Sequence, residues 1–373
     1  MQIYVWVFSI ISLLVLSHTT YHAQTCPDTH INRNLVDNQI LVFIRSGETR
    51  NEIWQFDFGE FQATYTGMSI PGDARNAALS PDTRFLAFTQ RVDLDKLTVK
   101  VYAVDWAASE LIELSSIQDL EVAQNINFHW LDNNRLGFIS DARQQEYVII
   151  DTNGNYNSYS ANIPIDSTDT NWFNTDLLIE YNPDFSYAAF IDLYTERPIQ
   201  FWDLRERHWL QSNVEIPALW VGPTRAFTWS ADGNDFLIMD DESNWFQFSI
   251  SDDTFRQLTD VGDVYILGAP VPSDNAIVFQ VSDIELGNYD LSIAVWQNGK
   301  LIQTCLNVGD GQFHTDWRGW DNSSHLFAFA VFDYVSDTTE IHLFDTKTPA
   351  FSTIYFQDKA DASMKVLGWL PVE

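Results

Sequence analysis

Basic side chains are scarce in this chain: 373 residues carry 20 Lys and Arg against 52 Asp and Glu, a formal net charge of −32. The placing of each cation is therefore informative. Arg75, Arg225, Arg318 and Lys365 each stand just ahead of Leu79, Trp229, Trp320 or Trp369, members of a column that recurs roughly every 50 residues. Asp176 and Asp316 stand in similar places ahead of Tyr181 and Trp320. An Arg so placed could take a carboxylate in a bidentate pair. The plain structural alternative is that each Arg pairs with an Asp of a neighbouring repeat, for example Asp176 or Asp316, and ties repeats together. Arg75, Asp176, Arg225, Asp316 and Arg318 are the candidate ligand-binding set.

Recognised catalytic constellations are missing from the sequence. It has no Gly-x-Ser-x-Gly elbow, no His-Glu-x-x-His and no Ser-x-Asp-x-Gly-x-Thr-Trp box. A carboxylate pair drawn from distant segments, Asp176 with Glu180 or Asp316 with Asp73, would suit a glycosidase. Asp57, Asp105, Asp151, Asp203 and Asp345 recur at equal places in successive repeats, so they read as turn caps rather than a catalytic or metal set. Asp151-Thr152-Asn153-Gly154 suits a tight hairpin better than a calcium loop, because the closing carboxylate is absent. Neither a metal nor a cofactor is expected, and Cys26 and Cys305 have no His at zinc-ligand spacing.

The elements that must position these residues follow from the repeat. Its first column is Leu79, Trp130, Tyr181, Trp229, Val271, Trp320 and Trp369, and its second is Phe43, Phe88, Phe138, Phe190, Met239, Phe279 and Phe329. Between the columns lie turns such as Ser80-Pro81-Asp82, Asn182-Pro183-Asp184 and Ser230-Ala231-Asp232-Gly233, where Pro fixes φ and Asp accepts amide protons. Each repeat reads as four short strands. The first begins at its second strand, Ile40 to Ile44, and the last ends as a lone first strand, Lys365 to Pro371. Together they would make one complete unit, so the expectation is an all-β, seven-bladed β-propeller closed by pairing of the N- and C-terminal strands. The closing blade would be 39–70 plus 364–373.

Composition sets further bounds. With 45% apolar and 14% aromatic residues, including 14 Trp and 26 Phe, the chain can bury a large core. Its negative field opposes nucleic acid and anionic membranes, leaving an unidentified protein or glycan as the partner of an expected monomer. Ile3 to Leu16 is an apolar run too short for a membrane span and fitting an export signal. Residues 1–24 therefore read as a signal peptide, 25–38 as an arm and 39–373 as the propeller, with an uncleaved N-terminal anchor as the alternative. No membrane span would remain after cleavage.

Ser80-Pro81-Asp82 followed by Phe85-Leu86-Ala87-Phe88, and Trp229-Ser230-Ala231-Asp232-Gly233 followed by Phe236-Leu237-Ile238-Met239, resemble the WD-repeat-like propeller repeats of the TolB family. The resemblance spans about residues 39–373 and implies a periplasmic or secreted propeller used for protein contacts, here without the TolB N-terminal domain. The expected role is thus a non-catalytic binding module at the cell envelope or outside the cell, not an enzyme. The alternative is a propeller hydrolase or lyase acting on a glycan or lactone through channel carboxylates or a cation. An exported protein with two thiols commonly pairs them, so non-reducing peptide mapping of the mature protein is expected to link Cys26 to Cys305; free Cys305 would refute the pairing.

Overall fold

The computed structural model describes residues 39–370, apart from 48, 94–95, 122–127, 141–145, 165–176, 193–197, 213–215, 217–226, 231, 241–243, 259–264, 273–275, 283–290, 298–299, 304–311, 315–316, 322–324, 334–337, 347–349 and 359–362. Within these residues the chain forms seven four-stranded sheets whose neighbouring strands run antiparallel. Sheet 1 is ordered Met364–Leu370, Ile40–Arg45, Arg50–Asp57, Gln62–Pro71. Sheet 2 is Ala74–Leu79, Phe85–Asp93, Lys96–Asp105, Glu110–Glu121. Sheet 3 is His129–Trp130, Arg135–Ile139, Glu146–Asp151, Tyr156–Ser160, and sheet 4 is Leu177–Tyr181, Tyr187–Asp192, Gln200–Asp203, His208–Trp209. Sheet 5 is Phe227–Trp229, Asp235–Met239, Trp245–Ser249, Thr254–Gln257. Sheet 6 is Tyr265–Pro272, Ile277–Ser282, Leu291–Gln297, Lys300–Gln303, and sheet 7 is Gln312–His314, Leu326–Asp333, Thr338–Asp345, Ala350–Asp358.

The fold is an all-β propeller, and the reason is visible in one strand. Leu41, Val42, Phe43 and Ile44 are all buried, a continuous apolar run rather than the alternation of a one-faced sheet. Side chains still alternate across the strand. Leu41 and Phe43 enter a cluster shared with Leu326, Ala328, Ile341 and Leu343 of sheet 7. Val42 and Ile44 enter one shared with Ala74, Leu79, Leu86 and Phe88 of sheet 2. This strand therefore supplies two interfaces, and sheets stack face to face in succession. Four further clusters join sheets 2 and 3, 3 and 4, 4 and 5, and 6 and 7. Phe227–Trp229 of sheet 5 lies against Tyr265–Pro272 of sheet 6. A fully buried Phe such as Phe43 or Phe88 contributes about 1.5–3 kcal/mol by leaving water.

The first-column tryptophans add a directional bond to this stacking. The indole N–H of Trp130 donates to the carbonyl of Ala78 at 3.3 Å, that of Trp229 to Glu180 at 3.1 Å and that of Trp369 to Gly319 at 2.9 Å. In each case the acceptor belongs to the preceding sheet. Trp320 departs from the expected first strand: it makes a single bridge to Phe327 after a 3-10 turn, Trp317–Gly319. The interruption follows from Gly319, where a Cβ would lie 2.2 Å from the Ala328 carbonyl oxygen; only a glycine lets the backbone approach that closely.

The turn between first and second strands is built alike in four sheets. Ser80, Asn182, Ser230 and Asp321 each accept an amide proton from the first residue of the following strand or its neighbour: Phe85, Tyr187, Asp235 and Leu326. At the ends of third strands, Asp57, Asp105, Asp151 and Asp203 accept amide protons from the residues just beyond them. That is the capping role expected from their recurrence. Asn182 also reaches the next turn, donating to the Gly233 carbonyl at 3.1 Å.

Burial alone would raise the carboxyl of Asp82, but bonds from the Ser80 hydroxyl and from Arg84 outweigh it and hold it below the ordinary carboxylate range. At Asp132 burial is likewise outweighed, by the Asn134 amide and Arg135; at Asp232, by Ser230 and Asn234. A depressed folded-state value stabilises above the unfolded value, and the gain is lost as pH falls through the folded one. Tm is therefore expected to hold from pH 7 to about pH 5 and to fall below about pH 4. Asp82→Asn should cost about 1 kcal/mol at neutral pH, and its deficit should narrow on acidification. Thermal melts by circular dichroism between pH 7 and pH 2 test this; a deficit that widens in acid would contradict the assignment.

Candidate functional site

Three segments meet at one end of sheets 1 and 2: Ser46 and Gly47 after Ile40–Arg45 with Thr49 before Arg50–Asp57, the connection Gly72 to Asp73, and Ser363 at the entry to Met364–Leu370. Backbone bonds stitch them, Ser46 N–H to the Ser363 carbonyl at 2.8 Å and Gly72 N–H to the Thr49 carbonyl at 3.2 Å. Gly47 permits the tight turn, since a Cβ there would lie 2.9 Å from the Arg50 carbonyl oxygen. Between the segments lies a pocket of about 600 Å³, with Ile44, Asn51, Ile70, Arg75, Asn76 and Lys365 in its lining.

Asn51 organises this end of the molecule. It is 3% exposed, and its Nδ2 donates to the carbonyls of Pro71 at 3.1 Å and Ala74 at 3.2 Å, fixing the connection between the two sheets. Its Oδ1 is buried without a hydrogen-bond partner. A buried acceptor left unmade costs about 1–3 kcal/mol unless a water or a ligand supplies the donor.

The inner strand Ala74–Leu79 bulges between Arg75 and Ala78, and Asn76 takes a left-handed φ of 54°. Asn tolerates that conformation, and such a bulge re-aims the neighbouring side chains. Arg75 is exposed at the pocket and donates through Nη1 to the carbonyls of Gly72 at 3.1 Å and Ala74 at 2.9 Å. It makes no ion pair among the described residues; Asp176 and Asp316, the partners suggested for such a pair, lie outside them. Asp73, the adjacent carboxylate, accepts instead from Gln90 at 3.3 and 3.4 Å. Lys365 enters the pocket from the opposite strand, in register with Ile44. Cationic N–H groups and an amide thus line one pocket: the first can hold a carbonyl or carboxylate oxygen, the second a hydroxyl.

The other candidates fall elsewhere. Arg318, on the 3-10 turn of sheet 7, is buried, and its Nη2 donates to the Phe128 carbonyl at 3.1 Å, next to the first strand of sheet 3. Sheets 7 and 3 are not neighbours in the stack, so this side chain crosses the middle of the molecule. Asp176, Arg225, Asp316, Cys26 and Cys305 lie outside the described residues, as do residues 1–38. Among the described residues no group of three or more His, Cys, Asp and Glu gathers as a metal site, and no helix is long and apolar enough to cross a membrane. The structure therefore unites Arg75 with Lys365, and it adds Asn51, which sequence reasoning passed over because a single Asn at a strand start carries no spacing signal.

No family model and no curated protein matches this chain. Solved structures do. The periplasmic gluconolactonase PpgL of Pseudomonas aeruginosa matches with a TM-score of 0.54 and 13% identity, over 89% of this chain and 100% of that one. A putative 6-phosphogluconolactonase of Bacteroides fragilis matches with a TM-score of 0.51 and 12% identity, over 89% and 98%. TolB of Acinetobacter baumannii gives a TM-score of 0.39 and 14% identity over 73% and 65%, a likeness on which no argument rests. The first two establish the fold. They also correct the expectation that the chain is not an enzyme: a propeller of this build carries proteins named as lactonases, so architecture and missing motifs do not exclude catalysis.

Arg318 and Arg75 are expected to differ on substitution. Arg318→Leu leaves the Phe128 carbonyl without its donor and should lower stability by about 2 kcal/mol, whereas Arg75→Met should stay within about 0.5 kcal/mol. Differential scanning calorimetry of both variants decides; equal losses would overturn the distinction.

Proposed function

We propose that this chain is an exported propeller hydrolase that opens a hydroxylated lactone in the pocket between sheets 1 and 2. The observation that carries the reading is a pocket whose lining combines Arg75 and Lys365 with Asn51, an amide whose Oδ1 is buried without a partner. In lactone hydrolysis water adds to the carbonyl carbon, the ring C–O bond breaks and the ring oxygen leaves as a hydroxyl, giving a hydroxy acid. Arg75 polarises the carbonyl, stabilises the oxyanion that develops on its oxygen and holds the product carboxylate. Asn51 accepts from a ring hydroxyl and fixes which carbonyl face meets water. Among the described residues lining the pocket there is no Asp or Glu, which favours acyl chemistry over the two-carboxylate mechanism of a glycosidase.

The wider frame of this reading is a ring of seven blades, 39–373, sealed by the pairing of Ile40–Arg45 with Met364–Leu370. Residues 1–24 act as its export signal and 25–38 as an arm. The matched gluconolactonase is itself named as periplasmic, which supports an envelope location, and the charge of −32 supports a soluble monomer.

Glucono-δ-lactone and a panel of other aldonolactones, followed by acid release in a pH-stat, test the reading. Hydrolysis above the spontaneous rate is expected, with kcat/KM reduced at least tenfold by Arg75→Met and by Asn51→Leu. A Tm within a degree or two of the parent's shows that each variant keeps the fold. No acceleration on any lactone would end the proposal.

A further inference from the structure

The outer strand of sheet 2, Glu110–Glu121, is twelve residues long and pairs on one side only, with Lys96–Asp105. Among the described residues nothing pairs with its other edge. Proteins usually blunt such an edge with Lys, Pro or a covering loop. Here the stretch from Glu110 to Leu114 instead presents Ile112, 48% exposed, and Leu114, 38% exposed. The strand bulges opposite Val101 and Tyr102, leaving Leu114 as the extra residue. The Asn153-Gly154 turn of sheet 3 crosses beside it: a Cβ on Gly154 would lie 3.0 Å from the Ser115 Cβ and 3.8 Å from the Leu114 carbonyl oxygen. Tyr156, just past that turn, is 56% exposed.

We infer that this edge docks an extended polypeptide segment in which apolar and cationic residues alternate. Successive residues of a strand point to opposite faces, so an added strand meets Ile112 on one face and Glu113 on the other. Glu110 is exposed, and the Glu113 carboxylate, which accepts from the Tyr102 hydroxyl at 2.7 Å and sits 3.5 Å from Lys100 Nζ, keeps 44% side-chain exposure. Within a chain of net charge −32 these acids attract a basic strand and repel a second copy of the same edge. Main-chain bonds to the open edge would supply affinity, and the alternation would supply selectivity. The inference is independent of the pocket chemistry.

Fluorescein-labelled acetyl-(Val-Lys)4-amide, titrated at low salt and read by anisotropy, is the probe. Binding is expected to weaken at least tenfold with Ile112→Asp, with acetyl-(Val-Glu)4-amide and with N-methylation of the Val amides; a Tm within a degree or two of the parent shows that the variant folds. Methylation alters the peptide alone, so it tests edge pairing even should Ile112→Asp unfold the protein. Three results overturn the inference: no binding of the parent peptide, equal binding of acetyl-(Gly-Lys)4-amide, or self-association in sedimentation that Ile112→Asp disperses.

Discussion

The indole N–H of a recurring tryptophan, reaching the backbone of the preceding sheet, is the interaction on which this architecture turns. Apolar stacking holds sheets together but slides easily, because dispersion and water exclusion have no direction. Trp130, Trp229 and Trp369 each fix one sheet to a single carbonyl of its predecessor, which sets the stagger between blades. Trp369 matters most, since it joins the strand at the end of the chain to Gly319 of sheet 7. Gly319 supplies both the acceptor and the close approach to the Ala328 carbonyl. The loops at the ends of the sheets inherit their positions from this stagger.

The pocket follows from that constraint. Sheet 1 draws its inner strand from the C-terminal part of the chain and its other strands from the N-terminal part, so its entry loop and the loop leading to sheet 2 have no sequence continuity. Two backbone bonds tie both to the segment between Ile40–Arg45 and Arg50–Asp57, and Asn51 holds the two ends of the connection to sheet 2. A side chain recruited to brace both ends of one connection has its amide N–H groups committed and its oxygen stranded. Arg75, beside the bulge at Asn76 and Ala77, brings a cation to the same pocket. Arg318 shows the opposite use of the same residue type: taken into the middle of the stack, it holds the Phe128 carbonyl and becomes part of the frame.

Much of this was legible in the sequence. The columns beginning with Leu79 and Phe43 gave the strands, and the Ser-Pro-Asp and Asp-Gly turns gave their boundaries, because these features act through local chemistry. Arg75 was legible as well, through the rarity of cations. Asn51 was not, since its role depends on burial and on two carbonyls about twenty residues away. The acceptors of the tryptophans were equally hidden: Ala78, Glu180 and Gly319 act through their carbonyls, which every residue possesses. Arg318 was seen as a cation ahead of Trp320, but its reach to a distant sheet depends on how the sheets are arranged about their middle.

The pairing of Ile40–Arg45 with Met364–Leu370 also imposes a schedule on biosynthesis. Leu41 and Phe43, wholly buried in the folded molecule, have neither their inner strand nor the sheet they pack against until Met364–Leu370 has been made. At translation rates of about 5–20 residues per second, the N-terminal strands wait on the order of half a minute with an open, apolar edge. From sheet 3 onward each sheet can form beside one already made, so exposure to aggregation is concentrated in the first sheet.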